Sequence, residues 1–294
     1  MSAQRETRLM MGMPVTVEVA DAHATAGTLN LVFDYFQTVD DRFSTYKPAS
    51  EISRINAGQL RLEDASDDMR LIFELAEQTR RETYGYFDIR RAGQVDQAAT
   101  GGHDIRLHPA FSGVDPAELG TTGARLHPAF SGVDPSGIVK GWAIREAANV
   151  LSRAGFHDYY VDAGGDIQVA GRSADGNPWR AGIRSPFDVH EIVKVVTLED
   201  CGIATSGTYA RGQHIYNPFA PGAALDEIVS LTVIGPDVYE ADRFATAAFA
   251  MGRAGIYFIE TLDGFEAYQI DSKGFATMTT GFKRYVLREQ MADS

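Results

Sequence analysis

Four short runs of strand character follow one another at 158–163, 166–171, 179–184 and 192–198, and no stretch between them keeps a helical period. A parallel βαβ sheet needs a crossover of a dozen or more residues between strands, usually helical. This part of the chain has no regular βαβ rhythm, and no glycine fingerprint of a dinucleotide fold opens any of its helices. The helices stand elsewhere. Residues 24–43 place Leu29, Leu31, Val32, Phe33, Phe36 and Val39 close to a helical period, and a second helix over 66–82 shows Leu71, Ile72, Leu75 and Ala76 on one face. Ser50-Glu51-Ile52-Ser53 reads as a capped helical turn ending near Asn56-Ala57-Gly58.

A third helix spans Ser136 to Arg153, and another runs from about Glu240 to Met251. Further strands are expected over Arg8 to Val19, 228–234, 256–260, 265–270 and 283–287. Helices interspersed with many short strands make the fold class α+β.

Composition narrows the function. A hydrophobic share of 44% with 23% charged residues belongs to a folded globular chain. Its longest apolar runs fall far short of the roughly 18 residues that a membrane span needs. A formal charge of −13 argues against phosphate-backbone binding, so no nucleic-acid partner is expected. It leaves room for a small phosphorylated ligand if a cation offsets the local charge. A single cysteine, Cys201, and the lack of a basic-then-apolar leader in MSAQRETRLMMGM point to the cytoplasm.

Residues 91–135 are rich in Gly, Ala, Pro and Thr and contain a literal repeat. RLHPAFSGVDP stands at 106–116 and again at 125–135. Two copies do not make a solenoid, which takes about three; a local duplication in a variable loop is the reading we adopt.

Several constellations carry chemistry. Asp242 and Thr246 stand four apart, so on a helix their oxygens share a face and suit a hard cation such as magnesium. Spacing alone also allows the plainer alternative, an acid favouring the helix dipole beside a solvent-facing threonine. Asp134-Pro135-Ser136-Gly137-Ile138-Val139-Lys140-Gly141 lies where a loop becomes a helix, whose free N–H groups attract anions. Asp134 and Lys140 would meet a ribose or phosphate there; the plainer alternative is an Asp-Pro turn with Ser136 as helix cap. Asp162-Ala163-Gly164-Gly165-Asp166 is by default a tight turn. His214 is a candidate acid/base or a hydrogen-bonded structural residue.

The order of these pieces resembles the ApbE family of FAD:protein FMN transferases over nearly the whole length. The resemblance is carried by Met11-Gly12-Met13, by Phe43-Ser44-Thr45-Tyr46 leading into Ser50 to Asn56, and by Gly85-Tyr86-Phe87-Asp88. It continues through Asp134 to Gly141, Asp162 to Asp166, Ala204-Thr205-Ser206-Gly207 to His214, and Ala241-Asp242 to Thr246 with Met251-Gly252. The second copy of the repeat is the one that matches, because Asp115 is followed by Pro-Ala-Glu-Leu-Gly and lacks the lysine. Two positions depart from the family pattern: Asn217 stands for an aspartate downstream of His214, and Gly137 for a more usual alanine.

The resemblance implies a single two-lobed domain over 1–294, with FAD between the lobes and 91–135 as a variable loop. Met11, Tyr46, Tyr86, Phe87, Asp88, Asp134, Lys140 and Ile215 or Tyr216 would line the FAD. Magnesium would rest on the Gly137 carbonyl, Asp242 and Thr246, with Ala245 adjacent. It further implies catalysis through Asp242, with His214 as candidate base, and an acceptor protein whose threonine takes the FMN while AMP leaves. If water reaches the site instead, the same groups make an FAD pyrophosphatase; without cleavage, the chain is an FAD carrier.

Overall fold

Val15, Val17 and Val19 alternate inward at 0% exposure, and that period of two begins the sheet. The computed structural model describes residues 3–90, 132–208, 215–220 and 224–287. The repeat copy at 106–116, most of its twin, and His214 lie outside the described residues.

The single strand expected over 8–19 is a hairpin, β1 (Gln4–Met10) and β2 (Met13–Val19), with Met10 opposite Met13. Met11 and Gly12 turn the chain at φ 50° and 72°, the left-handed pair that a two-residue hairpin loop requires. Hydrophobic alternation runs unbroken through the turn and Met is not a usual turn residue, so the bend left no local sign.

Helix α1 (Ala26–Phe43), α2 (Glu51–Asn56) and α3 (Asp67–Glu82) follow, and Ser50 and Ser66 cap the latter two. Leu31 and Leu71 point outward, at 44% and 39% exposure, off the apolar faces proposed for them. Helix α4 (Ser136–Arg153) has the expected bounds, but Pro135 is its N-cap residue and Ser136 its first helical residue. The cap bond comes from further upstream: the Ser136 N–H donates to Asp134 Oδ1 at 3.1 Å.

Next come β3 (Tyr159–Ala163), β4 (Asp166–Ala170), β5 (Trp179–Arg184), β6 (Ile192–Leu198), β7 (Gly202–Gly207) and β8 (Ile228–Gly235). Helix α5 (Val238–Ala250), helix α6 (Gly255–Glu260), β9 (Glu266–Asp271) and β10 (Ala276–Met278) complete the order. Among the described residues, eight strands form one antiparallel sheet in the order β1-β2-β3-β4-β7-β8-β9-β10, while β5 and β6 make a separate ribbon.

The helices pack on one face of the sheet, α1 and α4 over β1–β4 and α5 and α6 over β7–β9. The ribbon covers the other face through Trp179, Ile183, Val196 and Leu198, which cluster with Ile167, Ile203, Ile234 and Tyr268. Residues 256–260, expected as a strand, are α6: Ile256 and Ile259 share a helical face, and both are buried. Gly255 allows that turn to form, since a Cβ there would sit 2.0 Å from the Ala248 carbonyl oxygen. The strand expected over 283–287 is reduced to an isolated bridge, Val286 to Val196, after a 3-10 turn at Phe282–Arg284. No helix among the described residues is long and apolar enough to cross a membrane.

Candidate active-site cleft

Helix α5 is buried on nearly every side, and that fact decides how its charges behave. Its N-cap is Asp237, whose side chain accepts from the Glu240 N–H, so the helix dipole is already served. Asp242, a turn further in and 3% exposed, needs another reason to be charged. Its Oδ2 accepts the Gly141 N–H at 2.9 Å and its Oδ1 lies 3.5 Å from Lys140 Nζ. Such an approach between α4 and α5 requires glycine, because a Cβ on Gly141 would stand 2.7 Å from Asp242 Cβ. Lys140 Nζ also pairs with Asp166 Oδ2, so one ammonium faces two carboxylates. Burial pushes Asp242 up to about 7; Lys140 and the Gly141 N–H pull against this, and Asp166 adds to it.

Above this buried group opens a cleft of about 250 Å³, lined by Tyr86, Phe87, Asp88, Ile89, Arg90, Asp134, Ser136, Gly137, Ile215, Tyr216, Pro218 and Thr246. Gly137 connects the cleft to α5, since a Cβ on it would lie 3.4 Å from the Phe87 ring and 3.7 Å from Thr246 Cγ2. An alanine would meet only ordinary contacts there, so the departure at this position is sterically mild. Thr246 Oγ1 is 3.5 Å from Ser206 Oγ on β7.

The opposite rim is strapped together. The Asp134 N–H donates to the Ile89 carbonyl at 2.7 Å, and Val133 bridges to Arg90. Asn56, at the end of α2, holds Val133 by both backbone groups: Nδ2 donates to its carbonyl at 2.9 Å, and Oδ1 accepts its N–H at 2.8 Å. Arg90 Nε donates to Asp88 Oδ1 at 2.8 Å, and the Tyr216 hydroxyl donates to the Arg90 carbonyl at 3.2 Å. The Tyr86 ring meets Phe219 edge-on at 4.9 Å.

A sequence model described as the ApbE family matches residues 11–269. The chain belongs to the ApbE family. Among relatives, the FAD:protein FMN transferase of Vibrio cholerae is 28% identical over 282 residues, covering 85% of this chain and 84% of that protein. The FAD:protein FMN transferase of Escherichia coli strain K12 is 31% identical over 167 residues, spanning 53% of this chain and 48% of its own. The solved flavin transferase ApbE from Vibrio cholerae superposes with a TM-score of 0.73 at 25% identity, over 97% of this chain and 99% of that one. An ApbE protein from Thermotoga maritima reaches the same TM-score at 18% identity, over 98% and 100%, a likeness of fold.

In this ApbE-family chain, then, the candidate residues divide. Tyr86, Phe87, Asp88, Asp134, Gly137, Ile215, Tyr216 and Thr246 meet in one cleft. Asp242 and Lys140 lie in the buried group beside it. Ala245 is fully buried in the apolar cluster of α5 and α6. Met11 sits in the β1–β2 turn and Tyr46 on the loop before α2 at 95% exposure; neither is among the residues that line the cleft. His214 lies outside the described residues.

Sequence reasoning missed Arg90, and left Asn56, Asp166 and Ser206 inside motifs without a role. Among the described residues, no three His, Cys, Asp or Glu are placed to hold a metal. The candidate donors are instead a carbonyl, one carboxylate and one hydroxyl, all oxygen, a set that suits magnesium with its retained waters. Helical geometry directs the Gly141 N–H to the Gly137 carbonyl, and its bond to Asp242 shares or diverts that donor. The donor set therefore fits the ion.

Proposed function

We propose that this chain is a magnesium-dependent FAD:protein FMN transferase that attaches FMN to a threonine of an acceptor protein and releases AMP. The observation that carries this reading is the cleft itself, which joins the aromatic-acid segment 86–88, the helix start at 134–137 and Thr246 in an ApbE-family chain.

FAD would enter between the rim and the start of α4, with Tyr86 and Phe87 offering apolar contact and Asp88 and Asp134 accepting from ligand hydroxyls. Gly137, Asp242 and Thr246 would hold the magnesium, which when bound neutralises charge on the pyrophosphate. The acceptor hydroxyl attacks the phosphorus of the FMN half; a new O–P bond forms as the bond to the bridging oxygen breaks, and AMP leaves with that oxygen. The hydroxyl proton passes to a base, for which His214 is our candidate. Positioning would carry much of the rate, with the helix start and the rim holding both reactants in line. The same residues support FAD hydrolysis when water takes the place of threonine. A cytoplasmic setting suits the single cysteine.

The test is to incubate the protein with FAD, with and without magnesium, and to follow AMP and FMN by chromatography. Magnesium-dependent AMP, with FMN appearing on an added threonine-bearing acceptor, is the expected result. Asp242→Ala is expected to abolish AMP release in a folded protein. FAD that binds but is never cleaved, with acceptor present, would make the chain a carrier.

A further inference from the structure

The Asp162–Asp166 turn is the motif that the proposed reaction leaves without a task. Gly164 and Gly165 take φ of 66° and 97°, the two-residue turn that joins β3 to β4 and delivers Asp166 to the first position of β4. There Asp166 is 1% exposed. Its Oδ1 accepts the Thr205 N–H of β7 at 3.0 Å, and its Oδ2 lies against Lys140 Nζ. Lys140 in turn is 3.5 Å from Asp242 Oδ1.

We infer that Asp166 is a positioning residue for the cation site, holding the Lys140 ammonium against β4 so that it does not close over Asp242. The inference rests on the reading of Asp242 as a cation ligand. A buried ammonium settles on whichever carboxylate it can reach. With Asp166 present, two carboxylates face one ammonium and the group keeps a net negative charge for an incoming cation. Without it, Asp242 stays within reach of Lys140 and pairs with it, and a divalent cation meets a neutralised ligand. Asp166 touches neither FAD nor the metal in this scheme; it acts through Lys140.

The experiment is a titration of the full-length protein with Mn2+, reading free Mn2+ by its paramagnetic resonance. Asp166→Asn keeps the shape and the acceptor for Thr205 but removes the charge. Its Mn2+ affinity is expected to fall about 10–100-fold, the usual effect of losing a group that orients a metal ligand. Asp166→Glu is expected to recover part of it. The decisive variant is Lys140→Met with Asp166→Asn, which removes the ammonium as well. Mn2+ affinity should then rise well above that of Asp166→Asn alone, a recovery that a purely structural aspartate would not produce.

Equal Mn2+ affinity in wild type and Asp166→Asn overturns the inference and leaves the metal reading standing. So does a double variant no better than the single one. A wild type that binds no Mn2+ overturns the metal reading, and the inference with it.

Discussion

Lys140, Asp166 and Asp242 form a buried wall beside the cleft with side chains 18%, 2% and 4% exposed, whereas Asp88, Arg90 and Tyr216 on the cleft's rim keep 21%, 38% and 38%. The buried wall is built from packed helices and strands, α4 against α5 with β4 and β7 beneath. Segments after α3 and before α4 build the rim, tied by backbone bonds and by Asn56. Charge in the first wall survives only because packing holds its partners in place. Charge in the second stays partly solvated. Substitutions should therefore strike stability and turnover together in the buried wall, and affinity more than turnover at the rim.

The hardest test of that contrast is Gly141→Ala. The new methyl group would lie 2.7 Å from Asp242 Cβ and 3.0 Å from the Val238 carbonyl oxygen, so α4 and α5 must part. Overpacking of this kind costs about 1–3 kcal/mol. A displaced Asp242 should lower turnover about a hundredfold, as small misplacements do. Denaturant unfolding and AMP release measure both, and normal turnover would break the claim that the wall tolerates no displacement.

Asn56→Ala attacks the rim instead. It removes two neutral hydrogen bonds to Val133, each worth about 0.5–1.5 kcal/mol. FAD affinity should drop by up to about tenfold, with kcat at saturating FAD largely kept. A fall in melting temperature with unchanged FAD affinity would move Asn56 from the rim to the fold.

The same division explains what was legible in the sequence. Long elements with one apolar face, such as α1 and α3, show their period, and Ser50 and Ser66 mark the starts of α2 and α3. Central strand β7 passed unnoticed because GIATSG is small and polar; it is buried by neighbours on both sides, which no local pattern records. Residues 256–260 misled for the opposite reason, since Ile256 and Phe258 mimic a period of two while the tight approach of Gly255 to Ala248 makes a helix. Among the candidate site residues, Asp242 and Thr246 stood out in the sequence because helical spacing places them on one face. Asp166 and Asn56 were not, for their partners Lys140 and Val133 come from distant segments. Tyr46 and Met11 rest on family likeness alone.

Tyr46→Ala sharpens that last point. A ring 95% exposed contributes little to folding, so stability should stay within about 0.5 kcal/mol. If the tyrosine covers bound FAD, affinity should weaken severalfold, in line with roughly 0.5–1.5 kcal/mol for an aromatic pair. Fluorescence titration with FAD decides it, and unchanged affinity would remove Tyr46 from the ligand contacts.

The smallest effect belongs to a group on the far side of the sheet. Cys201 is 7% exposed and packs with Trp179, Leu198 and Ile203 beneath the β5–β6 ribbon. Burial pushes its thiol up to about 11. A raised value means less thiolate at neutral pH, so iodoacetamide should label it slowly near about pH 7.5, gaining about tenfold per pH unit until the thiol's own value is approached. Mass spectrometry across that range reads the rate, and FAD binding should be the same before and after modest labelling. Rapid labelling near neutrality would show the ribbon lifting from the sheet. The contrast would then need a third term, because the face opposite the cleft would open more readily than the rim.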